Sequence, residues 1–241
     1  MTKSAAIFYV QNIEKNKYLN KYKAGKNYYD SKIEDGYLKH IFDLLNRNKN
    51  LDILEIGYFV GRVNKKLQNY FVNITVTDIS KKLISNYKGN KFCLDWSKTQ
   101  KIQNRKRYNF VCNIGHQLSF SCDIKRGLIY MSKLLKPDGI VFFDIWNSNC
   151  PKNFIPKQYT VQTMSVKKIE SLLSKIDLKI LLIKFGFSFP YKFPRLFYIF
   201  CKFLGKNLGT KICWELDSKI LTFFISPSKA QNIYVIAKKN K

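Results

Sequence analysis

Short apolar runs alternate with helical stripes along most of this chain. The run from Leu51 to Ile56 is typical of a buried parallel strand, and it stops at Gly57. Beyond the glycine, apolar residues recur every three or four positions, at Val60, Val63, Leu67 and Tyr70. This change of period predicts a strand, a tight glycine turn and a helix, in that order.

The same alternation continues on both sides of this unit. Further strands are predicted at 72–78, 91–95, 108–114, 140–143, 178–185 and 232–238. Helical stripes are predicted at 31–45, 80–87, 124–135 and 165–178. Strands that alternate with helices indicate an α/β domain, and a chain of 241 residues with 46% hydrophobic residues can form one large domain of this kind.

The turn after the first strand has the chemistry of a nucleotide site. Glycine lets the backbone approach a ligand closely, and the turn holds Gly57 and Gly61 after the acidic Glu55. The first amides of the following helix have no partner within the helix and face the same place. The turn is therefore predicted to hold an anionic or nucleotide ligand, although an ordinary strand-to-helix turn is the alternative.

Acidic residues follow the next two predicted strands. Asp78 lies about 20 residues beyond Gly57, the separation at which a carboxylate can accept hydrogen bonds from two ribose hydroxyls. Its alternative role is to cap the next helix, but Ser80 is also available for that. Asp95 could accept from an N–H donor, and Trp96 beside it offers a flat apolar face. An exposed turn aspartate beside a half-buried tryptophan is the simpler interpretation of that pair.

The order of these residues resembles the class I S-adenosylmethionine-dependent methyltransferases, with the small-molecule and sugar enzymes as the nearest group. The turn resembles their first motif, with Phe59 where the family has its middle glycine. The Lys136-Pro137-Asp138-Gly139 segment between a helix and an apolar strand is also typical of them. The resemblance implies a Rossmann-like, doubly wound, mostly parallel seven-stranded sheet with an antiparallel edge strand. It also implies S-adenosylmethionine as the cofactor.

The resemblance also implies roles for particular residues. The expected cofactor-binding residues are Tyr29, Glu55, Gly57, Phe59, Gly61, Asp78, Asp95, Trp96 and Asn113. His116 and Asp144 are the candidate bases that remove a proton from the acceptor. Each has a plainer alternative, because a lone histidine is often structural, an aspartate often caps a helix or loop, and Tyr29 could anchor the chain by packing.

The domain organisation follows from the same patterns. Residues 1–30 are polar and rich in tyrosine, and they are predicted to form an arm or lid. Residues 31–241 are predicted to form the methyltransferase domain, with an aromatic-rich insertion at 186–227 before the last strand. Within it, 186–204 could act as a substrate lid, a homodimer contact or a membrane-touching surface, and a lid or dimer contact is preferred.

The formal net charge of +27 leaves two explanations open. A field of that size attracts nucleic acid or anionic lipid. Yet lysine is spread through every segment beside abundant Asn and Ile, as in a chain from an AT-rich genome, and arginine is sparse. A small-molecule acceptor, with a sugar or nucleotide-linked sugar as the specific hypothesis, is therefore the primary interpretation. An RNA methyltransferase and an inactive methyltransferase-like binding protein are the alternatives.

The remaining composition sets limits on location and metal content. No run of about 18 apolar residues occurs, and residues 5–10 are too short for a signal-peptide core, so a cytoplasmic protein is expected. Six scattered cysteines without a C-x-x-C pair are expected to be reduced core residues. With only two histidines, no metal site is expected.

Overall fold

The structure is a computed structural model that describes residues 26–95, 106–115, 117–120, 123–150, 162–186, 194–216 and 230–240. Its strands are β1 (Asp52–Ile56), β2 (Asn73–Asp78), β3 (Asn90–Cys93), β4 (Tyr108–Asn113), β5 (Leu135–Trp146), β6 (Leu178–Gly186) and β7 (Asn232–Lys239). Its helices are α1 (Lys26–Leu44), α2 (Arg62–Leu67), α3 (Lys81–Ser85), α4 (Ile124–Leu134), α5 (Val166–Ser174), α6 (Pro194–Phe203) and α7 (Lys206–Leu216), with a short 3-10 helix at Leu118–Phe120.

The seven strands form one mixed sheet in the order β3-β2-β1-β4-β5-β7-β6. Strands β1 to β5 are paired in parallel. Strand β7 runs antiparallel to both of its neighbours and lies between β5 and the edge strand β6. This arrangement confirms the predicted fold class, including the antiparallel reversal at one side of the sheet.

Both faces of the sheet are covered by helices. Successive residues of a strand point to opposite faces, so Ile53 and Phe110 belong to one hydrophobic cluster, and Leu54 and Val111 to the other. The first cluster includes residues of α1, α2 and α3, and the second includes residues of α4 and α5. This double covering leaves the two ends of the strands as the places where polar groups can gather.

Side-chain caps determine where several helices begin. The side chains of Ser80, Asp123 and Ser165 each accept a hydrogen bond from the amide three residues later, at the starts of α3, α4 and α5. Helix α6 begins at Pro194, whose fixed φ and missing N–H suit a first helical position. The first three of these helices agree with the predicted stripes, whereas no stripe predicted α6.

Several predicted boundaries differ from the structure. Helix α1 begins at Lys26, so the predicted division at residue 30 falls inside a continuous helix. Val60 and Val72 were assigned to apolar stripes, but both are exposed, because Val60 lies in the turn and Val72 just before β2. The Lys136–Gly139 turn is absorbed into β5 as an irregularity, since the pairing moves from Tyr108–Leu135 directly to Phe110–Ile140.

Two features are absent from the described ranges. None of their helices is long and apolar enough to cross a membrane. None of their groups of histidine, cysteine, aspartate and glutamate side chains has the three or more members needed to hold a metal ion.

Candidate functional site

The carboxyl ends of strands β1 to β5 lie side by side and form one end of the sheet, called the carboxyl edge below. In the register, Ile56 is opposite Thr77, Asp78 is opposite Cys93, and Asn113 is opposite Phe143. The segments that follow these strands, with most of the residues singled out from the sequence, therefore gather at this edge. Ligands of open α/β sheets bind at such an edge.

The turn after β1 has a left-handed backbone at three alternate positions. The φ angles are 84° at Gly57, 53° at Phe59 and 75° at Gly61. The amides of Gly57 and Tyr58 donate to the carbonyl oxygen of Thr77, at 2.7 and 2.8 Å. Phe59 thus adopts a conformation that glycine takes most easily, so the turn keeps its backbone shape although the middle glycine is absent.

Asp78 joins this turn to the end of β2. Its Oδ2 accepts from the amide of Phe59 at 2.9 Å, and its Oδ1 accepts from the amide of Ser80 at 3.0 Å. Ser80, and not Asp78, caps α3, because the Ser80 hydroxyl accepts from the amide of Leu83. Asp78 therefore connects the turn after β1 with the end of β2 and the start of α3.

Asp95 lies close to Asp78 along the same edge. The amide of Leu94, the preceding residue, donates to the carbonyl oxygen of Asp78 at 2.9 Å. Asp95 is half-buried there. Trp96, predicted to pack on an adenine ring, lies outside the described residues. The structure therefore brings the two predicted carboxylates to neighbouring strand ends, and their roles in cofactor binding stay predictions.

Glu55 is a buried acid directly before the turn. Burial raises its pKa from 4.5 to about 8, against the lowering influence of Asn64 and Arg62. Its Oε2 has no hydrogen-bond partner in the part of the chain that the structure describes. Glu55 is therefore mostly protonated at neutral pH, and the turn rests on a neutral buried acid.

Gln117, a residue that the sequence did not single out, lies across Gly57. Its Nε2 donates to the carbonyl oxygen of Gly57 at 2.6 Å. A Cβ placed on Gly57 would lie 1.3 Å from Gln117 Oε1, so Gln117 would have to move for any larger residue, and the φ of 84° also favours glycine. The one feature of the sequence that could have identified Gln117 is its place in the segment after β4, where a lining residue is expected.

Asn113 completes this group of polar side chains. Its Nδ2 donates to the carbonyl oxygen of Ile56 at 2.9 Å and to Gln117 Oε1 at 3.3 Å. The side chain is fully buried, and its Oδ1 has no partner among the residues described. Asn113 therefore connects the end of β4 with the turn after β1, and its role in cofactor binding stays a prediction.

The two candidate bases have different positions in the structure. Asp144 is buried, and its Oδ1 accepts from the amide of Gly115 at 2.9 Å, where φ is 98°. This contact agrees with its alternative role as a loop cap, since it fixes the segment after β4. His116 lies outside the described residues, directly after Gly115. Neither base role is tested by these contacts.

Ion pairs attach α1 to the start of α2. The buried Glu34 of α1 pairs with Arg62 and, at 3.0 Å, with Lys66, which also contacts Asp35 at 3.1 Å. The Nη2 atom of Arg62 lies 3.8 Å from the point that a Cβ on Gly115 would occupy. Arg62 therefore extends from α1 to the loop after β4. The side chain of Tyr29, at the start of α1, lies outside the described residues.

The comparisons with known proteins identify the fold. No protein-family model and no curated protein sequence matches the chain. Among solved structures, it is similar to an S-adenosylmethionine-dependent methyltransferase from Clostridium acetobutylicum, with 13% identity, a TM-score of 0.57, and 86% and 91% of the two chains covered. It is also similar to the magnesium protoporphyrin IX methyltransferase of Synechocystis with bound S-adenosylmethionine, with 11% identity, a TM-score of 0.54, and 87% and 79% covered.

A third similar structure has a different described activity. It is the (4+2)-cyclase SpnF, with 12% identity, a TM-score of 0.56, and 86% and 81% of the two chains covered. The chain therefore has the class I S-adenosylmethionine-dependent methyltransferase fold. The reaction has to be argued from the site itself, because one fold supports several chemistries.

Proposed function

We propose that this protein transfers a methyl group from S-adenosylmethionine to an oxygen or nitrogen of a small acceptor. The observation that carries the proposal is the turn from Gly57 to Gly61, which keeps left-handed φ angles at Gly57, Phe59 and Gly61. Asp78 accepts from the amide at its centre, at the carboxyl edge of a methyltransferase fold. The fold neighbours that bind or use S-adenosylmethionine support the choice of cofactor.

The residues at this edge suit the parts of the cofactor. Asp78 would accept from the ribose hydroxyls, and Asp95 and Trp96 would hold the adenine. Gly57, Gly61 and Asn113 would lie against the methionine part, with Glu55 beneath the turn and Tyr29 closing the site. The side chain of Gln117 lies over Gly57 and would have to rotate away, and the buried acceptor Asn113 Oδ1 lies beside the space that it would leave.

The cofactor supplies a methyl group already activated on a sulfonium, so the protein's task is to place the acceptor and remove one proton. Holding the acceptor atom in line at near-contact distance supplies much of the acceleration. We assign proton removal to His116, with Asp144 as the other candidate. Asp144 already fixes Gly115, the residue before His116, and would thereby position the base.

We propose a sugar or a nucleotide-linked sugar as the acceptor. The support is the resemblance of the segment 144–147 to the acceptor-lining segment of enzymes that act on such metabolites. The structure fixes the end of this segment, because Asn147 Nδ2 donates to the carbonyl oxygen of Ala230 at 2.8 Å, just before β7.

Calorimetric titration with S-adenosylhomocysteine tests the proposal. We expect binding by the natural chain and about tenfold weaker binding by Asp78→Asn, since the amide replaces one charged acceptor of the ribose. Asp177→Asn is the matched control, because Asp177 lies in the turn before β6, at the opposite edge of the sheet, and should bind like the natural chain. Absence of binding by the natural chain at high ligand concentration would reject the proposal.

The net charge of +27 favours RNA as a second candidate acceptor. An RNA methyltransferase of this charge should bind RNA with an affinity that falls steeply as salt rises, because counterions are released from the phosphates. Filter binding of a structured RNA across a salt series checks this. Weak, salt-insensitive binding would leave the small-molecule acceptor as the proposal.

A further inference from the structure

Exposed apolar side chains are concentrated in the hairpin formed by α6 and α7. Nine large apolar side chains are exposed in the part of the chain that the structure describes, and five of them lie in this hairpin. They are Leu196, Ile199, Phe203, Leu204 and Leu208. Phe203 has 77% of its surface exposed, the largest fraction of the nine. Such a concentration indicates an interaction surface, whereas single exposed apolar residues are ordinary.

Three of these side chains share one face of α6. Leu196, Ile199 and Phe203 are spaced by three and four residues, so they lie on one face of α6. Helix α6 packs against α7, and α7 packs against α1, with Cys213 buried. The hairpin is thus attached to the domain through α7, while the apolar face of α6 is turned to solvent.

The charge of the hairpin selects the kind of partner. Residues 194–216 contain four basic residues (Arg195, Lys202, Lys206 and Lys211) and one acidic residue, Glu215. Lys202 and Lys211 are exposed. A second copy of a chain with a net charge of +27 would be repelled, whereas an anionic surface would be attracted. Leucine, isoleucine and phenylalanine beside lysines are typical of helices that lie in the interface of an anionic bilayer.

We propose that the α6–α7 hairpin docks on the surface of a bilayer containing anionic phospholipid. The apolar face of α6 enters the headgroup region, with Phe203 as the main anchor, and Lys202 and Lys211 remain at the level of the phosphates. The protein would then work at a membrane surface, although none of its described helices could span one. This proposal is independent of the methyl acceptor and of the cofactor.

The test is sedimentation of the full chain with vesicles. Vesicles of phosphatidylcholine with phosphatidylglycerol should bind the protein, and vesicles of phosphatidylcholine alone should bind it at least about tenfold more weakly. Phe203→Ser should weaken binding to the anionic vesicles by about tenfold, since a large apolar side chain no longer leaves water. Val72→Ser is the matched control, because Val72 is 70% exposed but lies before β2, and it should bind as the natural chain does.

Charge variants complete the test. Lys202→Glu combined with Lys211→Glu should weaken binding by at least about tenfold, and Lys81→Glu combined with Lys82→Glu, on α3, should weaken it much less. The proposal is overturned if the natural chain does not bind anionic vesicles, or if Phe203→Ser and Val72→Ser bind equally well. It is also overturned if light scattering shows a dimer that Phe203→Ser dissociates, because the face would then bind a second copy.

Discussion

The carboxyl edge of the sheet differs in electrostatic character from the amino edge, which is formed by the amino ends of β1, β4 and β5. At the amino edge, Asp52 pairs with Lys106 at 2.8 Å and with Lys136 at 2.9 Å, and Asn109 accepts from Lys136 at 3.1 Å. The two lysines lower the pKa of Asp52. At the carboxyl edge, Glu55 is buried with its pKa raised to about 8. The surroundings of Asp52 therefore favour its charged form, whereas burial disfavours the charged form of Glu55.

The difference shows where this protein gives up stability. The carboxyl edge combines a left-handed phenylalanine, a buried acid and several buried side-chain oxygens without partners within the described ranges, among them Glu55 Oε2 and Asn113 Oδ1. Strain and unsatisfied polar groups of this kind are found mainly where a protein binds a ligand. At the amino edge, by contrast, the polar contacts connect β1, β4 and β5.

The largest expected effect comes from Glu55→Gln. The pKa of Glu55 is raised on folding, so its contribution to stability is complete below pH 4.5 and is lost as the pH rises towards 8. Glutamine resembles the neutral acid and avoids this loss. At pH 8 the variant should be more stable by about 4 kcal/mol, and near pH 4.5 the two chains should be similar. Urea unfolding at both pH values measures this.

Glu170→Gln is the matched control, because Glu170 is exposed on α5. Its free energy of unfolding should follow that of the natural chain at every pH. If Glu55→Gln also follows the natural chain, burial does not penalise the charge of Glu55, and the contrast between the edges fails.

Gly57→Ala should weaken S-adenosylhomocysteine binding by about 100-fold, or about 2.7 kcal/mol. The added Cβ would meet the Gln117 side chain and the space for the ligand, in a backbone with φ of 84°. Calorimetry measures the affinity. Gly36→Ala on α1 is the control, because no atom lies within 4 Å of its added Cβ, and it should keep the affinity. Undiminished binding by Gly57→Ala would place the ligand away from this turn.

Phe59→Gly should strengthen binding of S-adenosylhomocysteine by about tenfold, since it removes a ring from the turn and restores the residue that a φ of 53° favours. Calorimetric titration of the natural chain and of Phe59→Gly with S-adenosylhomocysteine measures the two affinities. Equal affinities would show that the site accommodates the ring. If the variant binds and the natural chain does not, Phe59 has closed the site, and the domain is a methyltransferase-like binding protein.

Gln117→Ala should strengthen the same binding by about fivefold, because the ligand no longer has to displace a hydrogen bond to Gly57. The readout is the affinity for S-adenosylhomocysteine, with Gln68→Ala at the end of α2 as the control. Weaker binding by Gln117→Ala would instead make Gln117 a direct ligand contact.

The smallest effect is expected at the amino edge. Asp52→Asn should lower the free energy of unfolding at pH 7 by about 1 kcal/mol or less, because partly exposed ion pairs contribute little. The lowered pKa of Asp52 means that its contribution is present above pH 3.8 and disappears as the pH falls through the lowered value. Urea unfolding at low and high salt should show the loss shrinking as salt rises. A loss as large as the effect at Glu55 would contradict the contrast.

The sequence predicted the fold well because hydrophobic period determines which residues lie inside. The strand ending at Asp78 and the turn at Gly57 are where the pattern placed them. The left-handed backbone at Phe59 could not be predicted, because phenylalanine has no preference for it and the neighbouring hydrogen bonds impose it.

The contacts between distant segments were also beyond the sequence. Gln117 and Gly57 are 60 residues apart, and Glu34 and Arg62 are 28 apart. No local sequence pattern predicts that such pairs are in contact, because their contact depends on the order of strands and helices in space. The sequence predicted an aromatic-rich insertion with three alternative uses, but not the helical hairpin that part of it forms.

The ion pairs of Glu34 have a consequence for how molecules enter and leave. If α1 swung outward as a rigid gate, the carboxylate of Glu34 would lose the cations of Arg62 and Lys66. Separating a buried carboxylate from its cations is costly, so this route is slow. A ligand is therefore expected to bind and leave while α1 stays attached to α2.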